Sequence, residues 1–289
     1  MKLGLFPGQG IPARTVLAAL PEDDPTVAAA NEILCYDLRR RVEAVAQRQR
    51  SVLPTSLAQP AIFTASLVSF NVLGGAGCGV LLGHSVGEYA ALVAGGAISF
   101  EHGLCAVQVR GDVMHAIATR GVGGMVAILD LTIDECREIA QLSGAAVAND
   151  NSPVQVVLSG TDTSIARAAE AAKERGGRAV RLEVTGAFHT PAMIDAVPKL
   201  RDTLDHIPIR SPKLPVLSNV TARPYRAPGE IRKLLVEQLI SPVRFREALT
   251  RLWRSGAREF HDFGPGRVVA GLASKTFAAL ADESEAVAS

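Results

Sequence analysis

Aromatic side chains make up only 4% of the 289 residues, with one Trp and three Tyr, too few for a stacking platform on single-stranded nucleic acid. Net charge is nearly absent too. Thirty Lys and Arg against 29 Asp and Glu leave +1, which argues against a chain held on DNA by its overall charge. No apolar run approaches the roughly 18 residues of a membrane span. The opening segment Met1–Gly10 has one Lys and a brief apolar stretch before a turn, which is not the form of a signal peptide. Cys35, Cys78, Cys105 and Cys136 make no CxxC pair and have no His at ligand spacing. They read as small buried thiols in a reducing cytoplasm, with no metal site. What the chain does have is 48% hydrophobic and 20% charged residues, enough to bury the core of one large or two moderate domains.

The near-zero charge conceals an asymmetry. Lys199–Lys275 holds fifteen Lys and Arg against seven Asp and Glu, a local +8. Leu3–Phe6 reads as a buried strand entering the tight loop Pro7-Gly8-Gln9-Gly10. Helices are expected at Pro25–Tyr36, Asp37–Arg50 and Gln59–Val72, and a second strand at Val80–Leu82, followed by a helix at Glu88–Ala94. Between Gly124 and Val184 the pattern changes to βαββαβ. Strands are expected at Met125–Leu129, Ala146–Ala148, Val154–Leu158 and Ala179–Val184, with helices at Thr132–Ser143 and Thr161–Arg175. That order is the ferredoxin-like split motif. It predicts a small ferredoxin-like domain at 122–185, inserted into a larger α/β domain made of 1–121 and 186–289.

Gly83-His84-Ser85-Val86-Gly87-Glu88 is a G-x-S-x-G between a strand and a helix, the setting of a nucleophile elbow. There the serine is strained, its flanking glycines make room for neighbouring chain, and the Val86 N–H faces a developing oxyanion. The plainer alternative is a serine capping an ordinary helix. A nucleophilic serine needs a base. His102 and His115 fall on helices and His206 in a Pro-bounded loop, while His84 points away from Ser85 across the turn. His189, in the small-residue loop Thr185–Pro191 where the inserted domain returns, and His261, at a strand end, both remain candidates.

Pro7-Gly8-Gln9-Gly10, Gln59-Pro60-Ala61, Gly83 to Tyr89, Arg110-Gly111, Asn149 to Gln155, Gly186-Ala187-Phe188-His189 and Gly264-Pro265-Gly266 occur in that order. Together they resemble the malonyl-CoA:acyl carrier protein transacylases and the related acyltransferases of polyketide synthases. The resemblance covers nearly the whole chain and implies a large α/β-hydrolase-like catalytic domain. It implies that Ser85 is acylated, that His189 is its base, and that the backbone N–H groups of Gln9 and Val86 form the oxyanion hole. It also implies that a backbone carbonyl near Arg244, and no Asp, orients the histidine.

Arg110 and Asp112 are the only formal charges in the helical stretch Gly103–Thr119, and they lie on different faces. Leu104, Val107, Gly111, Met114 and Ala118 make one apolar stripe and Val109 and Val113 occupy the other side, so the helix is largely buried. A buried guanidinium needs an acceptor, either a structural carboxylate or that of a substrate. The resemblance implies the second, a malonyl carboxylate, with His84, Met114 and Phe188 around the acyl chain and Phe188 crowding an α-branched one.

The implied reaction is ping-pong transfer from acyl-CoA to the phosphopantetheine thiol of an acyl carrier protein, without metal or redox cofactor. Carrier proteins are typically acidic, so Arg251, Arg254, Arg258 and Arg267 are expected contacts. The chain is expected to act as a cytoplasmic monomer in fatty acid or polyketide synthesis. His115 stands where the family often has Gln, and the Gly10–Gln59 segment is short. These departures keep open carrier-to-carrier transfer of a non-malonyl unit, and hydrolytic editing of acyl thioesters is a further alternative.

Overall fold

Alternation in the first strand sets the layering of the large domain. In the computed structural model, which describes residues 1–48, 52–121, 123–184 and 186–288, Leu3 and Leu5 of β1 (Lys2–Phe6) face one helical layer. Phe6 contributes to the core on the other face. The chain continues through α1 (Ala13–Ala18), α2 (Pro25–Leu34), α3 (Leu38–Gln47) and α4 (Thr55–Val72) to β2 (Val80–Gly83), α5 (Gly87–Ala94) and α6 (Phe100–Ala118). α4 starts four residues before the expected Gln59. It follows Pro54 and carries Pro60 within it, and its burial from Leu57 to Val68 offsets the hydrogen bond that proline cannot make. The far end of the expected helix Asp37–Arg50 lies outside the described residues.

The second sheet is built by β3 (Gly124–Leu129), α7 (Ile133–Ser143), β4 (Ala146–Ser152), β5 (Gln155–Gly160), α8 (Asp162–Glu174) and β6 (Arg178–Arg181). Its strands are antiparallel in the order β4-β5-β3-β6, the arrangement expected of a ferredoxin-like βαββαβ unit. Thr132 and Glu135 form a capping box that starts α7, and Gly144 in the left-handed region ends it. The proposed boundary residues Val122 and Thr185 lie outside the described residues.

β4 departs from expectation, because the polar run Asn149–Ser152 is strand and not connection. It pairs with β5 across two register shifts. Its other edge meets the large domain, where the Val243 N–H donates to Ala148 O at 2.8 Å and the Asp150 N–H to Val243 O at 2.9 Å. Arg246 then grips Asp150 through two bonds of 2.8 Å. The small domain is thus stitched to its host by backbone and by a bidentate ion pair.

After the insertion come α9 (Val197–Asp205), β7 (Val216–Leu217), α10 (Pro228–Glu237), α11 (Phe245–Arg254), β8 (Glu259–Asp262) and α12 (Val268–Ala288). The large sheet is parallel in the order β7-β2-β1-β8, with α11 and α12 on one face and α4, α5 and α6 on the other. No helix among the described residues is long and apolar enough to cross a membrane.

Candidate active site

The elbow is forced by the backbone around it. β2 ends at Gly83, the His84 N–H donates to Phe6 O at 2.9 Å, and α5 begins at Gly87. A Cβ on Gly83 would lie 2.1 Å from the Glu88 nitrogen, and one on Gly87 would lie 2.2 Å from Phe6 O, so neither position accepts a side chain. Between them Ser85 has φ +53°, a left-handed strain that only surrounding structure can hold. Asn219 supplies that hold. Its Oδ1 accepts from the Ser85 N–H at 2.7 Å and its Nδ2 donates to Gly83 O at 2.7 Å.

His189, also left-handed at φ +60°, puts Nε2 2.8 Å from Ser85 Oγ. Its Nδ1 lies 2.9 Å from the carbonyl oxygen of Gln238. Burial, then the positive charge of Arg110, pushes this imidazole down to about 3. It is therefore neutral, donating from Nδ1 and accepting at Nε2 from the serine. The orienting carbonyl is that of Gln238 and not of Arg244. Arg244 is the N-cap of α11, its carbonyl is taken by the Ala248 N–H at 3.1 Å, and its side chain bonds Glu247 and Val220 O. His261 is on β8 opposite Gly4, packed on Phe263. His102 bonds Ser99 Oγ and His206 bonds Asp202 O at the surface, and His115 is half-buried on α6.

Arg110 is fully buried on α6 directly behind the serine. Its Nη1 donates to Gln59 Oε1 at 2.7 Å, and its Nη2 donates to Gln238 Oε1 at 3.0 Å and to Ser85 Oγ at 3.1 Å. Gln59 reaches Arg110 from the second turn of α4. Glu88 lies just below, accepting from the Tyr225 hydroxyl, from Gln238 Nε2 and from the Asn219 N–H. Gln238 also donates to Ser85 O at 3.1 Å. One residue thus touches the serine, the arginine and the buried carboxylate with its side chain, and the histidine with its backbone.

Burial raises the Glu88 carboxyl to about 7 against the opposing pull of Tyr225, Gln238, Asn219 and Arg110. Because the folded value exceeds the unfolded one, the folded state holds the extra proton, and this contribution to stability is lost as pH rises through about 7. Glu88→Gln removes it. The stability of Glu88→Gln relative to the parent should therefore climb between the ordinary glutamate range and pH 7. The slope should approach about 1.4 kcal/mol per pH unit, measured by urea unfolding at a series of pH values. A flat difference would show that Glu88 ionises normally.

A cavity of about 520 Å³ opens above Ser85 between the two domains. Gln9, His84, Met114 and Phe188 line it from the large domain, and Asn149, Asn151 and Gln155 from β4 and β5. His84 Nε2 lies 2.8 Å from Asn151 Oδ1, which ties the residue before the nucleophile to the small domain. The backbone N–H groups of Gln9 and Val86 have no acceptor among the described residues. Of the four arginines expected at a carrier surface, Arg267 is exposed and immediately precedes the cavity residues Val268 and Val269 in the chain. The other three do not. Arg251 and Arg254 occupy the last turn of α11, far from its site-facing start at Phe245. Arg258 precedes β8 at the sheet end opposite the elbow, stacked 3.7 Å over Trp253 and bonded to two carbonyls.

Comparison with known proteins extends these observations to the whole chain. The family described as the acyl transferase domain matches residues 6–288. The malonyl CoA-acyl carrier protein transacylase of Bacillus subtilis is 35% identical over 281 residues, covering 94% of this chain and 89% of that one. The corresponding transacylase of Coxiella burnetii superposes with a TM-score of 0.87 at 34% identity, over 96% of this chain and 91% of that one. A malonyl-transacylase solved with its type II polyketide synthase acyl carrier protein gives a TM-score of 0.84 at 33% identity, over 96% and 93%. A likeness that runs from the first strand through the last helix, in proteins of similar length, makes this chain an acyltransferase and a member of the acyl transferase domain family.

Proposed function

We propose that the protein carries a malonyl group from CoA to the phosphopantetheine thiol of an acyl carrier protein, in fatty acid or polyketide synthesis, through malonyl-Ser85. The observation that carries this reading is Arg110. A fully buried guanidinium 3.1 Å from the nucleophile, hydrogen-bonded to neutral acceptors only, suits a substrate with a free carboxylate. Ser85 Oγ attacks the thioester carbonyl and gives its proton to His189 Nε2. The oxyanion forms against the N–H groups of Gln9 and Val86, and the C–S bond breaks as His189 returns the proton to the CoA sulfur. The carrier thiol then repeats the sequence in reverse. Met114 and Phe188 narrow the acyl end of the cavity, and Phe188 disfavours α-branched groups.

The relative solved with its acyl carrier protein supports a carrier as the acceptor, and the exposed Arg267, beside the cavity residues Val268 and Val269 in the chain, is a cation for its acidic surface. The reaction requires no metal or redox cofactor. One chain supplies every group named, so a monomer suffices. The four thiols are free, as suits a reducing cytoplasm, but only Cys78 and Cys136 are buried as expected, while Cys35 and Cys105 are exposed.

Intact mass spectrometry tests the proposal. Malonyl-CoA should add one malonyl group at Ser85, and holo carrier protein should remove it. Arg110→Ala should lower kcat/KM for malonyl-CoA by about two to three orders of magnitude, the cost of leaving a buried carboxylate unpaired. Absence of the adduct, or release of free malonate without a carrier, would overturn the reading. The second outcome would assign the chain to thioester hydrolysis.

A further inference from the structure

Arg110 is fully buried, and its hydrogen-bond acceptors are two glutamine oxygens and the catalytic hydroxyl. The nearby carboxylate, Glu88, is taken up by Tyr225, Gln238 and Asn219. A buried cation therefore leans on neutral acceptors, one of which is the nucleophile. Ser85 Oγ gives its proton toward His189 Nε2 at 2.8 Å and offers a lone pair to Arg110 Nη2 at 3.1 Å. A lone pair held by a charged donor is withheld from a carbonyl carbon.

We propose that Arg110 keeps Ser85 in a low-reactivity state until the carboxylate of the incoming acyl group draws the guanidinium onto itself and releases the hydroxyl. This rests on the reading of Arg110 as the malonyl carboxylate site. Release acts twice. The carboxylate frees the serine lone pair for attack. It also cancels the positive charge beside His189, which otherwise opposes the imidazolium formed when the histidine takes the serine proton. Burial and Arg110 both hold that imidazole low, so neutralising one of the two restores basicity when it is needed. An acyl group without a carboxylate enters the same cavity and finds the serine still held. Selectivity for the carboxylated donor is therefore written into the rate of acylation as well as into binding.

The device can be tested by supplying the two halves of the substrate separately. Acetyl-CoA serves as donor and sodium formate as a free carboxylate, with sodium chloride at equal ionic strength as control. In the step measured, the Ser85 Oγ–acetyl bond forms, the C–S bond breaks, and the serine proton passes through His189 Nε2 to the CoA sulfur; formate is not consumed. Formate should accelerate acetyl-Ser85 formation by about tenfold, the equivalent of one charge-assisted hydrogen bond, and the acceleration should saturate. Chloride should have no such effect.

Phenylmethanesulfonyl fluoride, a neutral reagent whose fluoride leaves as Ser85 Oγ bonds sulfur, should show the same formate dependence in the unmodified protein. Arg110→Ala should be indifferent to formate. If that variant fails to fold, the two unmodified-protein measurements decide alone. Formate leaving both rates unchanged, or slowing them, overturns the release mechanism. If malonyl-CoA still acylates Ser85 in that case, the carboxylate-site reading survives. If malonyl-CoA forms no adduct, or Arg110→Ala keeps the full malonyl rate, that underlying reading is what has failed.

Discussion

Ser85→Ala should lower malonyl transfer to a carrier protein by on the order of 10⁴ to 10⁶ in kcat, with no acyl adduct on the protein. The loss is this large because the covalent route disappears entirely. A carrier thiol attacking malonyl-CoA directly would keep His189 and the backbone donors of Gln9 and Val86, but would have to reach the carbonyl while CoA still occupies the site. The substitution removes one oxygen. It leaves Gln59 and Gln238 on Arg110, and Asn219 on the residue-85 N–H. Folding should therefore be spared, which a circular-dichroism melt beside the transfer assay would establish. Transfer within tenfold of the parent would place the nucleophile elsewhere.

His189→Ala should cost a similar factor, and the double variant with Ser85→Ala no more than either alone, because the pair acts as one unit. Holo carrier and malonyl-CoA, assayed by the mass of the loaded carrier, provide the measurement. Additive losses would mean that His189 acts on some other group. The third partner differs from an aspartate in one respect. The acceptor at His189 Nδ1 is a backbone carbonyl, so no side-chain substitution deletes it. Replacing Gln238 would disturb Arg110 and Glu88 while keeping the histidine's anchor in the chain.

How far the site could be read beforehand depended on whether a role leaves a mark in side-chain type. Ser85 was legible because the elbow demands glycine on both sides, and the clashes at Gly83 and Gly87 give the reason. Arg110 was legible because a lone charge in an apolar helix needs an explanation. Gln238 was not, because a carbonyl is common to every residue. Arg244, six positions later, was expected in its place, but its carbonyl opens α11. Asn219 follows β7, a strand of two residues, too short to show any periodicity. Asn149–Ser152 read as a connection because its residues are polar. They are polar because Asn149 and Asn151 line the cavity and Asp150 meets Arg246, so the rule that strands alternate apolar and polar had nothing to act on. The ferredoxin-like rhythm survived this because α7, α8 and the remaining strands pack an ordinary core.

The seam between β4 and Val243 bears on how relatives of this protein can be recombined. β4, which presents Asn149 and Asn151 to the cavity, is positioned from outside its own sheet, by Val243 and Arg246. A chimera that exchanged 124–181 alone would import one wall of the cavity and leave its fasteners behind. The exchangeable module is discontinuous, comprising 124–181 together with the segment from Val243 to Arg246.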